Sequence, residues 1–369
     1  MGTHKPSDGD WAWLDLDLSV KPQSTHEPLT LRSRTKRAFP PMPSDKGRPR
    51  RSDGPKPGEG KDWSTDPEVE RIRRELLEAD PDGDRVAYAL REALDQVYDG
   101  RRTGRWDITQ LSKTEKTHIG TLVEIWLQRE FEFEDGLDLD FSIGGVDVDC
   151  KWSMNLYAWE IPMEMYSRGD KIALLIWGNE DSARWALGLL RISEAMLKPA
   201  GRQRDGKRRL SADGCANITW VYRNMPMIRN TLVHRPDVAR KMRDARSGQQ
   251  AVRTIFREIR GELINHATIE TAGQQIDSSK RVRDARTALR EEGLLIFGHY
   301  DPHPMMAAAL GLPVPTLGRF VSARVARCGM GENLPFATIE GDRWRLWQPG
   351  DQTSRAPALP SQGVARSNT

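Results

Sequence analysis

The chain has 369 residues, enough for two cores and unstructured ends, and its 37% hydrophobic and 30% charged residues imply a polar surface. No long apolar run occurs, which excludes a membrane-spanning helix; three scattered cysteines, Cys150, Cys215 and Cys328, exclude a disulfide scaffold or cysteine zinc site and suit a reducing cytoplasm. The net charge of +3 hides 56 basic and 53 acidic side chains, so their distribution says more than their sum.

The N-terminus, MGTHKPSDGDWAW, lacks a basic region followed by an apolar stretch, so secretion is not expected. Residues 1–64 are rich in Pro, Ser, Gly and charge, a composition that cannot offset its ordering entropy, and they are expected to form a disordered arm. Its cluster Trp11, Trp13, Leu14 reads as a loose tail or a docking point. Its basic runs RTKR and RPRR read as phosphate contacts or as a solubilising tail.

Order is expected from Asp66-Pro67, where Val69, Ile72, Leu76 and Leu77 recur at helical spacing. A second helix covers 85–98 and stops at Asp99-Gly100. A basic stretch, GRRTGRWDITQLSKTEKTHIG, leads into the helical pattern TLVEIWLQREFEF. Strand patterns follow at 137–143, 145–152, 171–178 and 183–192, then at 217–222 after the loop GRQRDGKRRL. This order predicts an α/β domain over 65–225 and a linker at 226–236.

A second, mainly α domain is expected over 237–349. Residues 249–263 place Val252, Ile255, Phe256, Ile259 and Leu263 on one helical face. Thr268 suits the cap of a short helix, and Ser278 the cap of a helix running to Glu292 and closed by Gly293. A strand follows at Leu294–Phe297. Helix, short helix, longer basic helix and strand is the order of a winged helix-turn-helix. Residues 350–369 are expected to form a flexible tail.

The most informative segment is Val146-Asp147-Val148-Asp149-Cys150-Lys151. Strand alternation buries Val146, Val148 and Cys150 and places Asp147, Asp149 and Lys151 on the other face. Asp140 converges with Asp149 across a hairpin, giving D-x8-D-x-K. Phosphodiester hydrolysis needs a hard cation to neutralise phosphate and acidify water, and Mg²⁺ takes one or two carboxylates with water and phosphate. Asp140 and Asp149 supply such ligands, Lys151 can orient the water or stabilise charge on phosphorus, and Glu124 could hold a second ion or bridging water. D-x-K alone also describes an ordinary exposed strand face.

Arg102, Arg105, Lys113 and Lys116 precede Glu124, where basic side chains suit phosphate contacts; as a solvated loop they would mean nothing. Lys280, Arg283, Arg286 and Arg290 share one face of the 278–292 helix, as a major-groove reader or a solvated amphipathic helix would have them.

The stretch from Asp99 to Lys151, through DGRRTGRW, LSKTEKTHIGTLVEI, REFEFEDG and GGVDVDCK, resembles the NaeI-type (type IIE) restriction endonucleases. The likeness continues more weakly through RRLSADG to about residue 345. It implies a restriction-endonuclease-like PD-(D/E)xK core, a mixed sheet flanked by helices, followed by a domain similar to the catabolite-activator DNA-binding fold. It places the active-site Glu, Asp and Asp-x-Lys on Glu124, Asp140, Asp149 and Lys151, with Mg²⁺ on the three carboxylates and Thr114 nearby. It further implies a homodimer that cuts double-stranded DNA, a second DNA copy that activates it, and GCCGGC as target. Two competing readings are a modification-dependent or repair endonuclease on the same scaffold, and a DNA-binding regulator without catalysis.

Overall fold

A computed structural model describes residues 37–167, 170–199, 206–275, 278–329 and 331–360. The expectations for 1–36 and 361–369, including the Trp11 cluster and most of RTKR, lie outside the described residues.

Helix α1 (Pro67–Ala79) starts where the Asp66 carboxylate accepts from the N–H groups of Glu68 and Val69, and it buries Val69, Ile72 and Leu76. α2 (Asp84–Tyr98) buries Val86, Leu90, Ala93, Leu94 and Val97. After the single turn α3 (Gly100–Thr103), α4 (Lys113–Phe131) opens on a capping box: Ser112 Oγ accepts from Glu115 N–H, and the Glu115 carboxylate from Ser112 N–H. That cap draws KTEKTHIG, expected as a lead-in, into the helix.

The strands that follow are β1 (Glu134–Asp135), β2 (Phe141–Ile143), β3 (Val146–Ser153), β4 (Glu160–Ile161), β5 (Ile172–Asn179), β6 (Arg184–Arg191), β7 (Arg208–Arg209) and β8 (Thr219–Pro226). Short helices α5 (Glu164–Ser167) and α6 (Ala212–Ala216) interrupt them. Six strands form a sheet ordered β1-β2-β3-β5-β6-β8, in which only β3 and β5 run parallel. β5 is buried throughout because it serves two cores. Ile172, Leu174 and Ile176 face the helices, while Ala173, Leu175 and Trp177 pack with Trp159, Ile161 and Trp220 on the other face. The mixed sheet flanked by helices agrees with the sequence reading, although the strand expected at 137–143 is confined to β2.

The second half contains α7 (Thr231–His234), α8 (Pro236–Asp244), α9 (Gly248–Glu258), β9 (Leu263–Asn265), α10 (His266–Gly273), α11 (Ser278–Leu289), β10 (Leu294–Phe297), α12 (His303–Ala309), β11 (Arg319–Arg327), β12 (Phe336–Ile339) and β13 (Asp342–Leu346). α9 ends at Glu258, with Ile259 extended, so Leu263 belongs to a strand rather than to the expected helix. Thr268 lies inside α10, whose cap position is Asn265, and Ser278 Oγ bonds His266 Nε2 at 2.6 Å. β10 divides its side chains between two cores: Leu294 and Ile296 join the α9–α11 cluster, Leu295 and Phe297 the one around Val321 and Trp344.

The described parts of three expected loose segments are packed. The supposed linker buries Met227, Asn230, Thr231 and Leu232. Within the supposed arm, Arg37 donates to the carbonyls of Met242 and Ala272, Phe39 packs edge-on against Trp106, and Lys61 bridges to Thr219 on β8. Its composition is poor in apolar residues, but partners elsewhere in the chain hold its backbone and the side chains of Arg37 and Arg48, which composition does not show. In the supposed tail, Ala356 is buried and exchanges hydrogen bonds with Arg290. The halves also meet closely where a Cβ on Gly100 would stand 1.9 Å from Thr271 Oγ1, an approach only glycine permits. Among the described residues no helix is long and apolar enough to cross a membrane.

His303 is fully buried, accepting from Gly298 N–H at Nδ1 and facing the Pro360 carbonyl through Nε2, which fixes a neutral tautomer. Burial, then the Arg286 charge, depresses its pKa to about 4. Between this value and the ordinary one near 6.5, the unfolded chain takes up a proton that the folded chain refuses. Stability should therefore fall as pH drops from about 6.5 toward 4. His303→Gln should flatten that part of the thermal-midpoint profile; an unchanged profile would remove His303 as its cause.

Candidate active site

The β2–β3 hairpin sets the geometry. Ile143 and Val146 pair across a two-residue turn, Gly144-Gly145, with φ of +58° and +76°, values that glycine adopts without strain. The register pairs Phe141 with Val148, so Asp140 stands opposite Asp149, and its Oδ2 accepts from Cys150 N–H at 2.7 Å. Asp147 holds the approach to Asp140: its Oδ2 accepts from Leu137 N–H at 2.9 Å and Asp138 N–H at 3.0 Å. Val146, Val148 and Cys150 are buried as alternation requires; Asp149 is buried too, in an ion pair with Lys151.

α4 supplies the fourth group. Gly120 faces Trp152 of β3, and one turn further on stands the half-buried Glu124. Burial, reinforced by Asp140 and Asp149 against the pull of Lys151, raises the Glu124 pKa. Burial also raises that of Asp149, with Lys151 opposing and Asp140 and Glu164 adding to it. The four groups thus lie within one another's field. Glu164, on α5, had no local sequence signal, since only the crossover between β3 and β5 brings it near.

Among the described residues no three His, Cys, Asp or Glu side chains are gathered as an ion cage. A hard divalent cation held by one or two carboxylates, water and substrate phosphate needs none. Carboxylates whose pKa values rise through burial and mutual repulsion are stabilised by added positive charge. Asp149 and Glu124 are such groups, and with Asp140 placed opposite Asp149 the cluster fits such an ion.

The other candidate residues divide. Lys113 and Thr114 are exposed on the first turn of α4, and Lys116 donates to the Gly47 carbonyl at 3.1 Å. Arg102 is exposed and paired with Asp99. Arg105 is committed to the fold, pairing with Glu115 at 2.6 Å and donating to the Tyr98 and Val97 carbonyls. On α11, Arg283 is exposed and Lys280 pairs with Asp284. Arg286 turns inward to the Ile296 carbonyl and the Tyr300 hydroxyl, and Arg290 to Ala356. The helical spacing was sound, but a helix projection does not show which arginines neighbouring strands claim, and the expected four-residue basic face is not presented as one.

The family model described as restriction endonuclease NaeI matches residues 70–355. The chain belongs to the NaeI restriction endonuclease family. The type II restriction enzyme NaeI of Lentzea aerocolonigenes is 45% identical over 310 residues, covering 81% of this chain and 96% of that protein. This family member is a site-specific endonuclease of the type II class, its substrate is DNA, and type II restriction endonucleases generally use a divalent metal ion. The family match begins at residue 70, beyond the packed segment 37–64.

Because Asp147 fastens the backbone leading to Asp140, Asp147→Ala should lower plasmid cleavage about tenfold and raise the metal concentration needed for half-maximal rate. Loss of these hydrogen bonds should cost about 1–3 kcal/mol of stability. A lowered melting point with an unchanged metal requirement would make Asp147 structural only.

Proposed function

We propose that this NaeI-family chain makes Mg²⁺-dependent double-strand breaks at a palindromic site, with GCCGGC the first candidate. The carrying observation is the convergence of Asp140, Asp149, Lys151 and Glu124 at the β2–β3 hairpin and α4. Asp140 and Asp149 would hold Mg²⁺, with Glu124 completing the acidic side. Bound there, the ion neutralises the scissile phosphate and lowers the pKa of the attacking water. Lys151 orients that water and stabilises charge developing on the phosphoryl oxygens. Asp149 holds the Lys151 ammonium beside the reaction, and Lys113 and Thr114 approach the backbone from the first turn of α4.

The protein acts as a homodimer, one protomer on each strand, which suits a two-fold symmetric target. In the second half, α9, β9, α10, α11 and β10, which pairs antiparallel with β11 beyond α12, come in the order of a winged helix-turn-helix. We read α11 as the groove-facing helix, with Arg283 its exposed reader and an activating DNA copy as its ligand. The setting is a cytoplasmic restriction–modification system.

Two supercoiled plasmids, carrying one and two GCCGGC sites, test this reading. Efficient Mg²⁺-dependent cutting of the two-site plasmid and slow cutting of the other are expected, and Lys151→Ala should slow both by about 10²- to 10³-fold while retaining DNA binding. Fragments mapping elsewhere would replace the target; undiminished cutting by Lys151→Ala would remove that residue from the mechanism.

Arg283→Ala should weaken duplex binding about tenfold or more, the scale of one lost base contact. Wild-type affinity in that variant would place the reading surface elsewhere.

A further inference from the structure

The segment RPRR, Arg48 to Arg51, lies before the family match and plays no part in the chemistry above, yet it is fastened beside the active site. Ser44 N–H donates to Thr109 Oγ1 at 3.2 Å, and the Gly47 carbonyl accepts from Lys116 Nζ on the first turns of α4. Arg50 N–H donates to Asn155 Oδ1 at 2.9 Å, four residues beyond Lys151, and its carbonyl accepts from Asn179 Nδ2 at 3.2 Å. The strap therefore joins the N-terminal part of the Glu124 helix to the end of the strand carrying Asp149 and Lys151.

Its arginines have unlike fates. Arg48 is an anchor, paired with Asp107 at 2.9 Å and Asp181 at 2.7 Å. Lys46, Arg50 and Arg51 are exposed, with no side-chain partner among the described residues. Three cations on backbone fixed at both ends lose little freedom on meeting a polyanion. Their fixed position also distinguishes them from a solubilising tail, which gains nothing from being tied down.

We propose that this strap is an additional DNA-backbone contact. Lys46, Arg50 and Arg51 hold phosphates of the duplex engaged by the active site. The proposal rests on the active-site reading for the strap's position, but its test needs neither metal nor cleavage. Phosphate contacts of this kind add affinity without reading sequence.

The experiment is fluorescence anisotropy of a labelled duplex with the full chain, in chelator, across a salt series. Lys46→Ala/Arg50→Ala/Arg51→Ala should weaken binding about ten- to a hundredfold near 0.1 M salt and flatten the plot of log affinity against log salt by up to about 2.7, three contacts' worth. Arg51→Ala alone should flatten it by about 0.9, and Lys46→Arg/Arg50→Lys/Arg51→Lys should keep the wild-type slope. With metal restored, the triple alanine variant should show raised KM and unchanged kcat. An unchanged salt slope in the triple and single variants, at unchanged melting points, overturns the proposal. A failed active-site reading would show instead as intact salt dependence on the strap with undiminished cleavage by Lys151→Ala.

Discussion

The fold turns on one buried guanidinium. The Arg91 side chain, only 3% exposed, lies between Asp95 at 2.8 Å and Glu180 at 2.7 Å. Burial opposes its charge, but the two carboxylates outweigh that and hold its pKa above the ordinary guanidinium range. Burial likewise pushes Asp95 up to about 6 against the pull of Arg91. Glu180 also accepts from the Tyr98 hydroxyl and, at 3.3 Å, from Asn230 Nδ2, which itself donates to the Trp106 carbonyl. Removing one member would strand a buried charge, a loss of about 3–5 kcal/mol. α2, the β5–β6 turn and the start of the second half are thereby held as one body, and α2 in turn packs against the helix bearing Glu124.

The active-site hairpin was legible in the sequence because its determinants are local. Alternation along Val146–Ser153 assigns the faces, and Gly144-Gly145 fixes the two-residue turn and hence the register that opposes Asp140 to Asp149. Both follow from rules that look no further than a few residues. The same kind of rule holds for α4, where Ser112 and Glu115 form a capping box that marks its start, although KTEKTHIG has the basic composition of a lead-in segment. There the local cap, and not the composition, sets the structure.

Other features had no local signal. Glu180 and Asp181 sit in the β5–β6 turn, where nothing local marks them, yet Glu180 is the partner of Arg91 and Asp181 of Arg48, far away in sequence. Arg286 and Arg290 sit at the spacing of a basic face, yet the Ile296 carbonyl and Ala356 claim them. The segment 37–64 has the composition of a disordered arm and is ordered by groups it meets only after folding. In each case the deciding partner is long-range, and single-sequence periodicity carries no information about it.

The buried joint also limits how the halves could communicate. A free linker would permit a swinging second half, but Met227, Asn230, Thr231 and Leu232 of the joining segment are buried and Asn230 belongs to the Glu180 network. Coupling between two binding sites commonly amounts to about 1–3 kcal/mol. Arg91, Asp95 and Glu180 all belong to the first half, so separating the halves at this joint forfeits the Asn230 hydrogen bonds, about 1–3 kcal/mol, together with the burial of Met227, Thr231 and Leu232. With the joint packed as it is, an effect on cleavage is carried by small shifts of the elements it ties together. Those elements are α2, which packs against the Glu124 helix, and the β5–β6 turn, which Arg48 connects to the strap beside Lys151.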